Sequence, residues 1–453
     1  MAAVSPRRLA CLLLAVSAGS PGLGNAAPPR DELVASGLQV PTAFAILPDG
    51  RIAVAEHAGL VVALREGVAA PELLVDLRAR VNNSRERGLV GLAADPGFAR
   101  NRALYVLYAY EDDPARPHAP KTVRLSRIDV RSGRERVVLS GIPADCRCHI
   151  GGSIRFATDG SLFVSTGDGA RAGGANALAL RAQDLDSPAG KLLRVSREGR
   201  GLRDNPFWNG DPWATRSKVW ALGLRNPFRL ALHPRSGVPW VGDVGWRAWE
   251  EIDVAGRGAN LGWPCYEGAG RQGAYASTPT CQALYRRRGE HRGPLLSYRH
   301  GPRASVTGGD FARDGAYVYG DFTRGGLRLL GAPSRELAPA AAPVDIQFAP
   351  DGSLLYLSLT RGELRRIVAP ASRPTVTAAA HPAVGALVLL SSSAPAEGGP
   401  YLYSWSFGDG AHSFSTEPSP PHAYAFAGTY VATVTVTDRR GRSARSSATV
   451  TVE

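Results

Sequence analysis

Three short stretches carry side chains able to do chemistry. The first, "DCRCHIGGSIRF" (Asp145 to Phe156), sets Cys146, Cys148 and His149 ahead of a glycine pair and an apolar run. The two cysteines and the imidazole offer three ligands to zinc or copper, with no fourth partner evident. In an oxidising compartment the same cysteines would pair as a disulfide, or they stay free thiols. A histidine on an ordinary loop is a plain hydrogen-bonding residue, but one held by a carboxylate becomes a proton acceptor. The second stretch, Gly167-Asp168-Gly169, supplies such a carboxylate one strand further on; read alone, Asp168 is a turn aspartate. The third, "VWALGLRNPFRLALHP", places Arg225 and Asn226 between two strand-like runs that Pro227 separates. A cation and an amide at a strand end can bind a polarised oxygen. A salt-bridged arginine and a turn asparagine are the bland alternative.

These groups need a frame that brings distant positions together. From about residue 32 to 368 one phrase recurs, a turn followed by a compact run of apolar and β-branched residues. It reads Pro48-Asp49-Gly50 then "RIAVAEH", Asp95-Pro96-Gly97 then "ALYVLYAY", and Asp159-Gly160 then "SLFVSTGDG". It returns as Pro234 to Gly237 then "VPWVGDVG", Asp314-Gly315 then "AYVYGDF", and Pro350-Asp351-Gly352 then "SLLYLSL". These are strands bounded by turn chemistry, and long helical periodicity is absent. The runs are apolar on both faces, as strands are when their sheet lies between two other sheets. A radial array of four-stranded sheets meets that condition and leaves few exposed edges, so the fold expected is all-β, a six-bladed β-propeller. Functional groups of such a fold collect at loop ends around the central channel, and Gly151-Gly152 lets the chain bend there just after His149.

At 453 residues the chain exceeds one hydrophobic core. Residues 1–26 carry Arg7 and Arg8, an apolar run from Leu9 to Ala18, then small residues, which reads as a secretory signal peptide. That run is about half of the roughly twenty residues a bilayer needs, so a secreted or periplasmic protein without membrane insertion is expected. The net charge of +13 is carried almost wholly by scattered arginine, with lysine only at 121, 191 and 218, and no nucleic-acid partner is expected. After Cys11 four cysteines remain, and the pairings expected are Cys265 with Cys281 and Cys146 with Cys148. A proline-bearing linker, "APASRPT" (369–375), precedes a tail over 376–453 in which Tyr401, Tyr403, Trp405 and Phe407 alternate onto one face. So do Tyr430, Ala432, Val434 and Val436, the pattern of a small antiparallel sandwich. "WSFGDG" and "HAYAFAGTYVATVTVTD" resemble the polycystic-kidney-disease (PKD) repeat, an immunoglobulin-like β-sandwich whose usual implication is a spacer or contact with extracellular polysaccharide.

Seven stretches together resemble the soluble glucose and sorbosone dehydrogenases, six-bladed propellers that use pyrroloquinoline quinone. They are "GLVGLAADPGFARNRALYVLY", "HIGGSIRFATDGSLFVSTGD", "AQDLDSPAGKLLRV", "DNPF", "ALGLRNPFRLALHPRSG", "VGDVGWRAWEEIDV" and "GANLGWPCYEG". The resemblance implies that His149 takes the proton of a sugar's anomeric hydroxyl while hydride passes to the quinone. It makes Asp168 the acid that orients the imidazole, and Arg225 and Asn226 the pair contacting the quinone oxygens. It puts the carbonyls of Gly245 and Trp246 at a calcium ion, with Glu251 in the same acidic stretch, and Glu86 facing the site. The family's late lysine and two arginines, which clamp the cofactor's carboxylates, are missing. "GDFTRGGLRLL" offers Thr323 and Arg324 instead, and "APAAAPVDIQF" only small apolar residues.

The function expected is therefore an exported aldose dehydrogenase, dependent on the quinone and Ca2+, that turns a sugar into a lactone and passes electrons to an acceptor. The missing clamp keeps a second reading open, a propeller that binds a glycan or protein without the quinone, as the hedgehog-interacting proteins of animals use this fold. A calcium-dependent lactonase is the third.

Overall fold

The computed structural model describes residues 29–453 except 66–67, 69, 288, 302, 332, 369–374, 378–381, 394–400 and 439–442. The expected signal peptide and all of the linker but Thr375 lie outside the described residues. The chain divides into two compact units, Pro29–Ala369 and Pro370–Glu453.

Among the described residues the larger unit holds six four-stranded antiparallel sheets. Their first strands are Pro41–Ile46, Leu89–Ala94, Ile154–Phe156, Pro227–Leu232, Val306–Phe311 and Pro343–Phe348. Each of these touches the first strand of the next sheet, and the last touches the first, so the ring is closed. Each recurrent turn phrase lies between the first and second strands of one sheet. In five of them the aspartate accepts the backbone N–H two residues on, at Arg51, Gly97, Ser161, Ala316 and Ser353. The sixth sheet is completed from the other end of the unit, since Arg30–Ala35 pairs with Glu363–Val368. Asp31 fastens that closure, accepting Arg365 Nε at 2.8 Å and Tyr356 Oη at 2.8 Å.

Apolar residues on both faces of the strands follow from this arrangement. In Ala103–Tyr110, Leu104, Val106 and Tyr108 pack against the first sheet, while Tyr105, Leu107 and Ala109 pack against the third. The same division holds around the ring, with one buried apolar layer between each pair of neighbours. Each fully buried large side chain there contributes about 1.5–3 kcal/mol. Near the axis Arg229, 2% exposed, donates to the carbonyls of Gly152 (2.8 Å) and Thr42 (2.5 Å) and lies 3.6 Å from Asp345. It ties the fourth sheet to the third, first and sixth.

The smaller unit is a sandwich built on a four-stranded sheet in the order His412–Ser415, Leu402–Ser406, Gly428–Thr437, Ser443–Val452. Tyr403, Trp405 and Phe407 share its core with Ala432, Val434 and Val436, as the alternation requires. Among the described residues no helix is long and apolar enough to cross a membrane.

Candidate functional site

In an antiparallel hairpin the start of the first strand and the end of the second lie at the same end. The chemistry-bearing residues occupy those two positions, sheet after sheet. His149 precedes the first strand of the third sheet, and Asp168 follows its second, Leu162–Thr166. Arg225 and Asn226 precede the first strand of the fourth sheet; Gly245 and Trp246 follow its second, Pro239–Asp243. His149, Arg225, Asn226, Gly245, Trp246 and Glu86 line one cavity of about 520 Å³, with apolar wall from Phe228, Phe322, Val344 and Leu359.

His149 is 5% exposed and takes a left-handed backbone conformation, φ +51°. Its N–H donates to Glu86 Oε2 (3.1 Å) and its carbonyl accepts from Gly169 N (3.2 Å). Gly167 has no Cβ because one would overlap that carbonyl. The ring Nδ1 lies 3.1 Å from Asp168 Oδ1, and Nε2 lies 2.8 Å from Arg225 Nη2. A guanidinium only donates, so Nε2 carries the lone pair and the ring proton sits on Nδ1, donated to Asp168. Asp168, 1% exposed, also accepts Ala170 N and Trp263 Nε1, each at 2.8 Å. The two contacts thus set the tautomer, with the lone-pair nitrogen aimed at Arg225, as a proton acceptor needs.

The Arg225–Asn226 pair is fixed by a residue that sequence reading missed. Asp243 Oδ2 accepts Arg225 N (2.8 Å) and Oδ1 accepts Asn226 N (2.7 Å). Burial pushes the Asp243 carboxyl up to about 7, and the two backbone donors only partly offset it. Arg225 Nη1 donates to Val244 O at 2.8 Å, and Asn226 Oδ1 accepts Gly151 N at 3.2 Å, which couples the pair to the glycine turn after His149. The following turn is held by Glu267 Oε1, which accepts the N–H groups of Trp246, Arg247, Ala248 and Trp249. Burial works against ionisation of Glu267, yet those four donors hold its carboxyl below the usual range. Neither the Gly245 nor the Trp246 carbonyl accepts a hydrogen bond among the described residues, which leaves both oxygens for a hard cation.

Two expected residues lie elsewhere. Arg324 does not line the cavity: its side chain donates to the carbonyls of Arg303 (3.1 Å) and Arg299, and stacks over Tyr298. Glu251 does not line it either. Its carboxyl accepts Gly268 N and lies near Asp243 and Asp253; burial, then the charges of Asp243, Glu267 and Glu250, push it up to about 8. Burial pushes Asp253 well up too, and neither of its carboxyl oxygens has a hydrogen-bond partner among the described residues. In their place the cavity is lined by three basic residues the sequence did not single out, His57, Arg85 and His300.

Both disulfides form, Cys146–Cys148 and Cys265–Cys281. The ligand atoms of Cys146, Cys148 and His149 do lie within 4.8 Å of one another. With the sulfurs bonded to each other and both ring nitrogens engaged, they do not form a metal site here. Cys146 N donates to Gly169 O (3.0 Å), so the bridged loop is stitched to the turn that carries Asp168.

The sequence profile of the Glucose / Sorbosone dehydrogenase family matches residues 38–328, and that of the PKD domain matches residues 369–452. The aldose sugar dehydrogenase YliI of Escherichia coli is 30% identical over 246 residues, 51% of this chain and 61% of that protein. A putative oxidoreductase (glucose dehydrogenase) of Thermus thermophilus superposes over 75% of this chain and all of its own, with a TM-score of 0.60 and 29% identity. The PQQ-bound aldose sugar dehydrogenase of Streptomyces coelicolor shares the fold over 76% of this chain and 98% of its own, with a TM-score of 0.59 and 21% identity.

Proposed function

The chain belongs to the glucose/sorbosone dehydrogenase family, and on that premise we propose that its propeller oxidises an aldose at the anomeric carbon to the lactone. The observation that carries the reading is the lone pair of His149 Nε2, set by Asp168 and Arg225 at the wall of the cavity. Pyrroloquinoline quinone, when bound, supplies the hydride acceptor. The cavity fits its reactive end: Arg225 and Asn226 would hold the quinone oxygens, and the free Gly245 and Trp246 carbonyls a Ca2+ ion. A hydroxyl that takes over the Nε2 lone pair frees Arg225 Nη2 to face an oxygen gaining negative charge. As the anomeric C–H bond breaks, His149 takes the O–H proton and Asp168 stabilises the imidazolium that results.

The signal-peptide pattern of residues 1–26 supports an exported protein, and the sandwich, with Phe414 and Phe426 exposed, supports contact with an extracellular polysaccharide. A second reading, a propeller that binds without oxidising, is favoured by one observation. Phe322 and Val344, from the two stretches in which the family resemblance expects the cationic clamp, give the cavity apolar wall instead. Reconstitution separates the two. Protein loaded with quinone and Ca2+ should reduce an artificial dye in the presence of an aldose, and His149→Asn should lower turnover by about 10²–10⁴-fold while leaving quinone affinity within roughly threefold. Silence across a sugar panel, with quinone demonstrably bound, refutes oxidation.

A further inference from the structure

The cavity holds a second imidazole built like the first. His300 follows the last strand of the fourth sheet, Leu296–Arg299, and lines the same cavity. Its Nδ1 bonds to Glu250 Oε1, and the Glu250 side chain is 0% exposed while that of His300 is 26% exposed. Glu250 is itself fixed, its Oε2 accepting Val306 N at 2.8 Å and Gly245 N at 3.3 Å. The His300 backbone N–H donates to Ala248 O at 2.9 Å, and Arg324 grips the carbonyls of Arg299 and Arg303 on either side. The ring is therefore preorganised from its backbone, its flanks and its Nδ1 edge.

A carboxylate only accepts, so in the neutral ring the proton between His300 and Glu250 belongs to Nδ1 and the lone pair to Nε2. Nε2 makes no hydrogen bond to protein among the described residues, and the side chain that carries it is partly exposed at the cavity wall. His149 differs in one respect, since its lone pair faces a guanidinium. An acceptor held this firmly at a cavity wall matches a ligand that carries O–H donors.

We propose that His300, backed by Glu250, is a ligand-contacting, specificity-determining residue whose Nε2 accepts a hydrogen bond from a sugar hydroxyl other than the one His149 deprotonates. The inference rests on the aldose reading for the identity of the ligand and not on its oxidation. No proton leaves the ligand at His300, so the pair affects which aldoses bind and how they are oriented.

The test is binding of an aldose and its monodeoxy analogues to the full chain, followed by calorimetry, beside His300→Asn and His300→Gln. Asparagine keeps an amide to donate to Glu250 and lacks any atom at the Nε2 position; glutamine restores a polar atom there. One deoxy analogue should bind wild type roughly tenfold more weakly than its parent. In His300→Asn the parent should weaken by a similar factor and that discrimination should vanish, with partial recovery in His300→Gln. Nitrogen NMR of the imidazoles should show the proton on Nδ1 of His300. The proposal is overturned if His300→Asn discriminates among the analogues as wild type does, if the proton resides on Nε2, or if wild type binds no aldose. Wild type that binds aldoses but does not oxidise them with quinone and Ca2+ refutes the oxidation reading and leaves this one standing.

Discussion

Replacing Asp168 by asparagine tests the catalytic geometry at its most constrained point. All three partners of the carboxylate are donors, His149 Nδ1 at 3.1 Å and Ala170 N and Trp263 Nε1 at 2.8 Å each. With its oxygen toward His149 and Ala170, an asparagine points its NH2 at the indole N–H. Flipped, it opposes the Ala170 N–H and forces the His149 proton onto Nε2, against Arg225. Each orientation leaves at least one buried donor unsatisfied, which costs about 1–3 kcal/mol of stability. In the proposed mechanism both would remove the charge that stabilises the imidazolium, and removing an orienting carboxylate behind a catalytic imidazole lowers turnover by up to about 10⁴-fold. Asp168→Asn should therefore reduce kcat/KM by about 10²–10⁴-fold, or about 3–5 kcal/mol of transition-state stabilisation. It should leave quinone affinity near that of wild type. The assay is dye reduction at several sugar concentrations, with quinone titration and urea unfolding on the same preparations. A variant within threefold of wild-type kcat/KM, or one whose activity falls only in step with quinone affinity, refutes the assignment of Asp168 and of the His149 tautomer.

Gly167→Ala should destabilise the propeller by roughly 3 kcal/mol or more, read from the urea midpoint, because the added Cβ overlaps the rigid His149 carbonyl. Removing the Cys265–Cys281 bridge, whose ends are 16 residues apart, should cost about 3 kcal/mol of unfolding free energy; no change in melting temperature would contradict the pairing. Lys191 is fully buried with Nζ on the carbonyls of Arg181, Ala182 and Ala189, and burial pushes its ammonium down to about 7. Between that value and its ordinary 10.5 the unfolded chain binds the extra proton, so this group makes stability rise with pH across that window, by roughly 5 kcal/mol at most. Urea unfolding at pH 7 and 9.5 should show a less positive slope for Lys191→Met than for wild type, and equal slopes would contradict the shift.

Much of this architecture was legible in the sequence because the physics that makes it is local. A turn ending in Gly, five times out of six with an Asp, followed by a two-sided apolar run marks the first hairpin of a sheet with neighbours on both faces. His149 and Asp168 were legible as a pair because they flank one hairpin, and Arg225 because Pro227 starts the next sheet. What stayed hidden depends on angle around the ring and on which way a strand faces. His57, Arg85 and His300 reach the cavity from the first, second and fourth sheets, and nothing in their local sequence distinguishes them from other loop residues. Glu250 and Glu251 make the point at single-residue scale. They are adjacent in Trp249–Val254, so their side chains leave opposite faces of the sheet. Glu251 faces Asp243 and Gly268 N, whereas Glu250 faces His300 and Val306 N. The acidic pair announces that a carboxylate is wanted there, but a period of two cannot say which of two neighbours points toward the cavity-lining residue. Arg324 failed for the same reason. It sits in the right strand connection, and its guanidinium is captured by the Arg299 and Arg303 carbonyls, so its contribution to the site is the position of His300 rather than a charge in the cavity.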